Sequence, residues 1–264
     1  MSPQNNQVKL SAASLADTPS LVAIFVDAFR HDTHTALKIA SQAPGTQEQA
    51  MTDGLKYWLN NKNCLVLTAT LGTSTVGWAC WSWRNIDDIP SFEEKMPEDL
   101  LCRSIHTAIP ERETITTEPL EYAVRPSHSD KPGIELLEDI TNENMSLWQD
   151  TKFCPTKDTK CMTLVAIAVD SKFQGQGIGS ALVGWGLDQA DELGIFAWVS
   201  SSQSGWIAFE RLGFQLCGGL KANLDDFADG IENGDDKWGE YVWRFGKRLP
   251  TFTPMRRNVS DCKT

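Results

Sequence analysis

Residues Ile167-Ala-Val-Asp-Ser-Lys-Phe-Gln-Gly-Gln-Gly-Ile-Gly-Ser-Ala-Leu182 constrain this chain more than any other stretch. An apolar strand there runs through a glycine-rich turn straight into an amphipathic helix. Glycines at 175, 177 and 179 let the backbone bend tightly and bring its N–H groups against a ligand. The start of the helix adds unpaired N–H groups and the positive end of its dipole. Such a junction is built to hold an anion, and a phosphate-bearing cofactor is the expected guest.

Three phosphate loops compete for this spacing. A Walker loop requires Lys and Ser/Thr after the last glycine, and no Lys follows here. The dinucleotide fingerprint comes closer, with Gly175-x-Gly177-x-x-Ser180. That fold also wants an acidic residue at the end of the next strand to hold a ribose, and Ile195-Phe-Ala-Trp-Val199 runs instead into three serines. The third pattern, Gln174-x-x-Gly177-x-Gly179 after Val169, is met in full, with a second strand, a short helix and Leu212-Gly213-Phe214 downstream. That order, over residues 161–215, resembles the GNAT acetyltransferase superfamily, in its fungal small-molecule type. The family's Gln/Arg-x-x-Gly-x-Gly/Ala loop cradles the pyrophosphate of acetyl-CoA.

The resemblance implies an α/β GNAT fold with a mixed central sheet of six to seven strands flanked by helices. Val8-Lys-Leu10 reads as a first strand. Asp17-Thr-Pro19 reads as a helix cap with Pro in the first turn. Leu21, Val22, Phe25, Ala28 and Phe29 then share one helical face. A further helix is expected from Glu48 to Asn61. Cys64–Thr70 and Val76–Trp83 read as a hairpin in which Trp81 and Trp83 share a face. Burial in the sheet core is the expected role of Trp78, Trp81 and Trp83, with an aromatic cage for a cation as the alternative.

Residues 84–160 depart from a compact domain of this kind. They are rich in Pro and charge, with a helix expected from Ile134 to Gln149, and read either as an insertion beside the acceptor cleft or as a surface loop. Met162–Val169, Gly179–Leu193, Ile195–Val199, Ser204–Leu212 and Tyr241–Phe245 should then form strand, helix, strand, helix and last strand. One domain over 1–250 with a weakly ordered tail at 251–264 is the expected organisation.

Composition mainly excludes. With 24 basic and 35 acidic residues the net charge is −11, which argues against broad contact with nucleic acid or an anionic membrane. No apolar run of about 18 residues occurs, and the polar start lacks signal-peptide features, so a cytoplasmic protein is expected. The cysteines at 64, 80, 102, 154, 161, 217 and 262 show no metal-ligand spacing, so reduced thiols and no metal site are expected. Oligomeric state is left open.

What the resemblance implies for the site is an acetyl group moved directly from acetyl-CoA to the amine of a small molecule. Cofactor contacts fall on Ile167, Ala168 and Val169, on Gln174, Gly175, Gln176, Gly177, Ile178, Gly179 and Ser180, and on Ser202. Backbone N–H groups of Ile167 and Val169 would hold the pantetheine arm and polarise the thioester oxygen. The tyrosine that many relatives place before the Gly-Phe pair to protonate the thiolate is Phe209 here, and a strand-end Glu of fungal relatives is Ser200. Candidate bases are therefore His31, His34 and Glu138, with Glu135 and Asp139 beside it. A protein lysine or N-terminal acetyltransferase, and a CoA-binding module without transfer, are the competing readings. An NAD-linked oxidoreductase trails both.

Overall fold

The computed structural model describes residues 8–86, 117–126 and 130–251. Its frame is one mixed sheet of eight strands: β1 (Lys9–Ala12), β2 (Cys64–Leu71), β3 (Ser74–Arg84), β4 (Glu121–Tyr122), β5 (Cys161–Val169), β6 (Phe196–Ser202), β7 (Gln215–Asn223) and β8 (Glu240–Arg248). They lie in the order β1-β2-β3-β5-β6-β8-β7-β4. The two-residue edge strand β4 and the glycine-interrupted β7 raise the count above the six to seven expected. Neighbours pair antiparallel except β5 with β6 and β4 with β7.

Among the described residues six helices cover the sheet: α1 (Thr18–Ala28), α2 (Thr33–Ser41), α3 (Thr46–Asn60), α4 (Gly133–Trp148), α5 (Ile178–Leu193) and α6 (Gln203–Arg211). Alternation of side chains along β3 divides the core. Trp81 and Trp83 point to α5 and α6, among Met162, Leu182, Trp185, Trp206, Phe209 and Phe214. Trp78 and Cys80 point the other way, into α1 and α3 among Leu21, Leu55 and Ala168. Trp78 and Trp81 are fully buried, so core packing and not a cation cage is their role. On the same face as α1, Leu37 of α2 and Ile134 and Leu137 of α4 pack over Leu220 and Ala222 of β7.

Two local readings need correction. Asp17 does not cap α1. Its carboxylate instead accepts from the N–H and hydroxyl of Ser14, closing the short 3-10 turn Leu15–Asp17 that leads into the helix. Within 84–160, the described residues include packed elements as well as exposed loop. β4 extends the sheet, α4 packs on it, and a π-helical turn (Gln149–Phe153) buries Phe153 against Trp148 and Trp198. Residues 87–116 of that segment, Cys102, Cys262 and the tail from 252 lie outside the described residues.

Candidate active site

The parallel pair at the centre of the sheet does not stay paired. β5 and β6 run together from Cys161↔Phe196 to Leu164↔Val199, and there the pairing stops, although β5 continues to Val169 and β6 to Ser202. The strands splay into a wedge. On its far side β5 remains bonded to β3 along Ala166–Val169. Asp170 N–H donates to Val76 O at 3.0 Å, and by the two-residue alternation of an antiparallel ladder Ala168 and Ala166 also turn their N–H groups to β3. Ile167 and Val169 therefore aim theirs into the wedge. Ala168, expected among the cofactor contacts, instead faces β3 with its backbone and buries its methyl in the α1 cluster.

At the mouth of the wedge the chain makes the glycine turn. Asp170 accepts from Lys172 N–H at 2.9 Å, which starts a 3-10 turn over Ser171–Phe173, so this carboxylate orders the loop. The Gln174 amide donates to Val169 O and the Gln176 amide to Lys172 O, folding the loop back on the strand. Gly175 and Gly177 have φ of 74° and 82°, a left-handed conformation that costs any other residue about 1 kcal/mol. A Cβ built at either position meets nothing within 4 Å, so the surface above them is open. Ala181 N–H closes on Gly177 O, which leaves the N–H groups of Ile178, Gly179 and Ser180 without helical partners at the first turn of α5. Below the loop, Ile178, Val169 and Ile167 anchor it in the core. The arrangement is an anion cradle at the end of an open strand edge, and it suits the pyrophosphate and pantetheine arm of CoA.

The remaining expected residues are scattered. Ser202 is the N-cap of α6, accepting from Gly205 N–H at 3.2 Å while its hydroxyl meets that of Ser204. Phe209 is buried and packs edge-on against Phe214 with ring centroids 5.6 Å apart, so the helix aromatic is core. His31 is exposed in the α1–α2 turn. His34, in α2, packs its ring against Trp243 and Tyr241 at 5.1 and 5.4 Å. Burial pushes its pKa down to about 4, and its Nε2 is buried without a hydrogen-bond partner. Glu138 pairs with Lys38 of α2, Asp139 pairs with Lys131, and Glu135 is exposed in the first turn of α4. None of the three stands at the wedge as an open carboxylate.

Two residues that sequence reasoning missed do meet near it. Tyr241, on β8, donates its hydroxyl to Asp32 Oδ2 at 2.7 Å, and Asp32 Oδ1 accepts from Thr35 N–H to cap α2. Burial, and then the Asp32 charge, raise the Tyr241 pKa. The signals were present only separately: Asp-Thr at a helix start, and a tyrosine in the last strand. A surface hollow of about 450 Å3 lined by Lys56, Tyr57, Asn60 and Asn61 lies on α3 and includes none of these groups.

Comparison with known proteins agrees with this geometry. Residues 144–214 match the model of the Acetyltransferase (GNAT) family. No curated protein matches the chain. Among solved structures, a mutant agmatine N-acetyltransferase in its apo form aligns at 14% identity and a TM-score of 0.53, over 92% of this chain and 99% of its own. A Drosophila melanogaster polyamine N-acetyltransferase aligns at 15% identity with the same score and coverage. Residues 144–214 thus match the model of the GNAT family, and the mixed eight-stranded sheet around them has the GNAT fold.

Proposed function

We propose that the chain transfers an acetyl group from acetyl-CoA to the amine of a small molecule by direct attack. The observation that carries this reading is the wedge between β5 and β6, with free strand N–H groups leading to the open glycine loop. Ile167 and Val169 would bind the pantetheine arm and stabilise negative charge on the thioester oxygen. The loop from Gln174 to Ser180 would hold the pyrophosphate through main-chain N–H groups and the dipole of α5. The net charge of −11 favours a cationic acceptor over an anionic one.

Calorimetry with acetyl-CoA on the wild type and on Gly177→Trp tests the cradle. Wild type should bind at micromolar strength, about −8 kcal/mol, and the variant should not, because the indole fills the space above the loop. Acetyl-CoA turnover across small amines and basic peptides then separates a small-molecule enzyme from a protein acetyltransferase and from a binding module. Absence of binding by the wild type would reduce the glycines to a turn.

A further inference from the structure

We infer that Tyr241 and Asp32 form the proton relay for the attacking amine, an assignment that rests on the transferase reading above. The α1–α2 turn is pinned at both ends. Asp27 Oδ2 accepts from Ser171 N–H at 2.9 Å, directly after β5, and Asp32 Oδ2 accepts from the Tyr241 hydroxyl on β8. The residues between cross from the end of β5 to β8, over the open end of the wedge. Ser202, the last residue of β6, pairs with Trp243. Tyr241 is two positions further along β8 on the same face, beyond the end of β6. A carboxylate and a phenol thus stand across from the strand edge that offers the Ile167 and Val169 N–H groups.

The other two tyrosines are elsewhere: Tyr57 is exposed on α3, and Tyr122 lies in the edge strand β4. Tyr241 is therefore the phenol of this cleft. Its O–H points to Asp32, so the phenol oxygen keeps its lone pairs for an N–H of the acceptor. Thr35 N–H holds the other carboxylate oxygen, which fixes the carboxylate. The charged groups nearby leave this pair undisturbed: Lys38 is engaged by Glu138 of α4, and burial keeps the His34 ring uncharged at neutral pH.

The chemistry closes without another reagent. The neutral amine attacks the carbonyl carbon of the acyl-CoA thioester, the C–N bond forms, and the C–S bond breaks with its electron pair on sulfur. The surplus proton on nitrogen passes to the Tyr241 oxygen as Tyr241 hands its own proton to Asp32. The same path in reverse then delivers that proton to the thiolate, giving amide and free thiol and returning Asp32 to its carboxylate. One pair of residues fills both vacancies, the absent strand carboxylate and the phenol that Phe209 does not supply.

Tyr241→Phe removes only the hydroxyl. Asp32→Asn removes the proton acceptor, yet Asn caps a helix as well as Asp does, so α2 keeps its start. Each variant should lower kcat for the best amine by about 100-fold or more, the usual scale of acid–base catalysis. The KM and calorimetric affinity for acetyl-CoA should stay within about twofold of wild type, and the double variant should be no slower than the worse single, as for groups acting as a unit. Either single variant retaining kcat within about threefold overturns the relay, as does a loss that tracks weaker acetyl-CoA binding, which marks a structural role. Should Asp32→Asn fail to fold, Tyr241→Phe carries the test alone. A wild type that binds acetyl-CoA but acetylates no amine removes the transferase reading and the relay together. Turnover by wild type with unaffected variants removes the relay alone.

Discussion

Two glycines one turn-half apart in α5 should respond oppositely to the same substitution. Gly184 and Gly186 both sit in the interior of the helix, where replacing Gly by Ala gains about 1 kcal/mol from backbone propensity. A Cβ at Gly184 meets nothing within 4 Å. A Cβ at Gly186 would stand 2.0 Å from Cε2 of Trp81 and 2.4 Å from its Cζ2. That ring cannot swing aside: Trp81 is fully buried, and its Nε1 donates to Leu182 O on the same helix at 3.3 Å. Relief requires α5 to lift from the sheet by about 1 Å or the indole to leave its rotamer, and overpacking of this kind costs about 1–3 kcal/mol or more.

Because the propensity gain is common to both, the difference between Gly184→Ala and Gly186→Ala isolates the packing cost, at about 3 kcal/mol. Gly184→Ala should melt slightly above wild type and Gly186→Ala clearly below it, with about 2–4 °C expected per kcal/mol in a chain of this size. Urea unfolding with a shared m-value gives the free energies. The lift would also shift the first turn of α5, so acetyl-CoA affinity should weaken in Gly186→Ala alone. Equal melting of the two variants, or a Gly186→Ala more stable than wild type, would refute the close contact between α5 and β3.

Three further outcomes follow from the same structure. His34 is depressed to about 4 from an ordinary 6.5, so between those values the unfolded chain takes up a proton that the folded one refuses. Its contribution is complete above pH 6.5 and is lost as pH falls toward 4, and urea titrations should show a shallower decline over that window in His34→Gln than in wild type. Phe209→Tyr restores the family hydroxyl inside a packed cluster; it should cost about 1–3 kcal/mol for a buried unpaired O–H, and a tenfold rise in kcat would instead put that position within reach of the thiolate. Asp191→Ala removes a bidentate partner of Arg248 that also binds Thr251, with both charged side chains mostly buried. It should lower stability by about 2 kcal/mol, as judged by chemical denaturation, because a guanidinium is left poorly solvated.

What could be read from the sequence was local. The loop from Asp170 to Gly179 announces itself because turn glycines, strand and helix start are contiguous, and the hairpin of β2 and β3 follows from apolar runs on either side of Gly72. β7 was not legible, since Gly218 and Gly219 interrupt its pattern. The structure supplies their reason: a Cβ at Gly218 would meet the Trp148 ring at 2.4 Å, and one at Gly219 would meet Trp243 O at 2.0 Å. Those glycines let α4 and β8 approach closely, a tertiary demand that a propensity reading scores as a break. The site divides in the same way. The loop residues are contiguous in the chain, whereas Asp32 and Tyr241 are 209 positions apart and become a pair only when α2 docks on β8. For Ala168, strand membership alone does not tell which edge an N–H faces.

The double pinning of the α1–α2 turn has a dimensional consequence. Only the links from Asp27 to Asp32 join the Ser171 anchor to the Tyr241 anchor, and a fully extended chain spans at most about 3.6 Å per residue. The backbone there acts as a gauge that bounds how far the Asp32–Tyr241 pair stands from the glycine turn. Side-chain changes within the turn alter what an acceptor touches, whereas adding or deleting one residue resets the span itself. On the transferase reading, size selection among acceptors would be written in chain length, in a loop that could be lengthened while the core beneath it stays as it is.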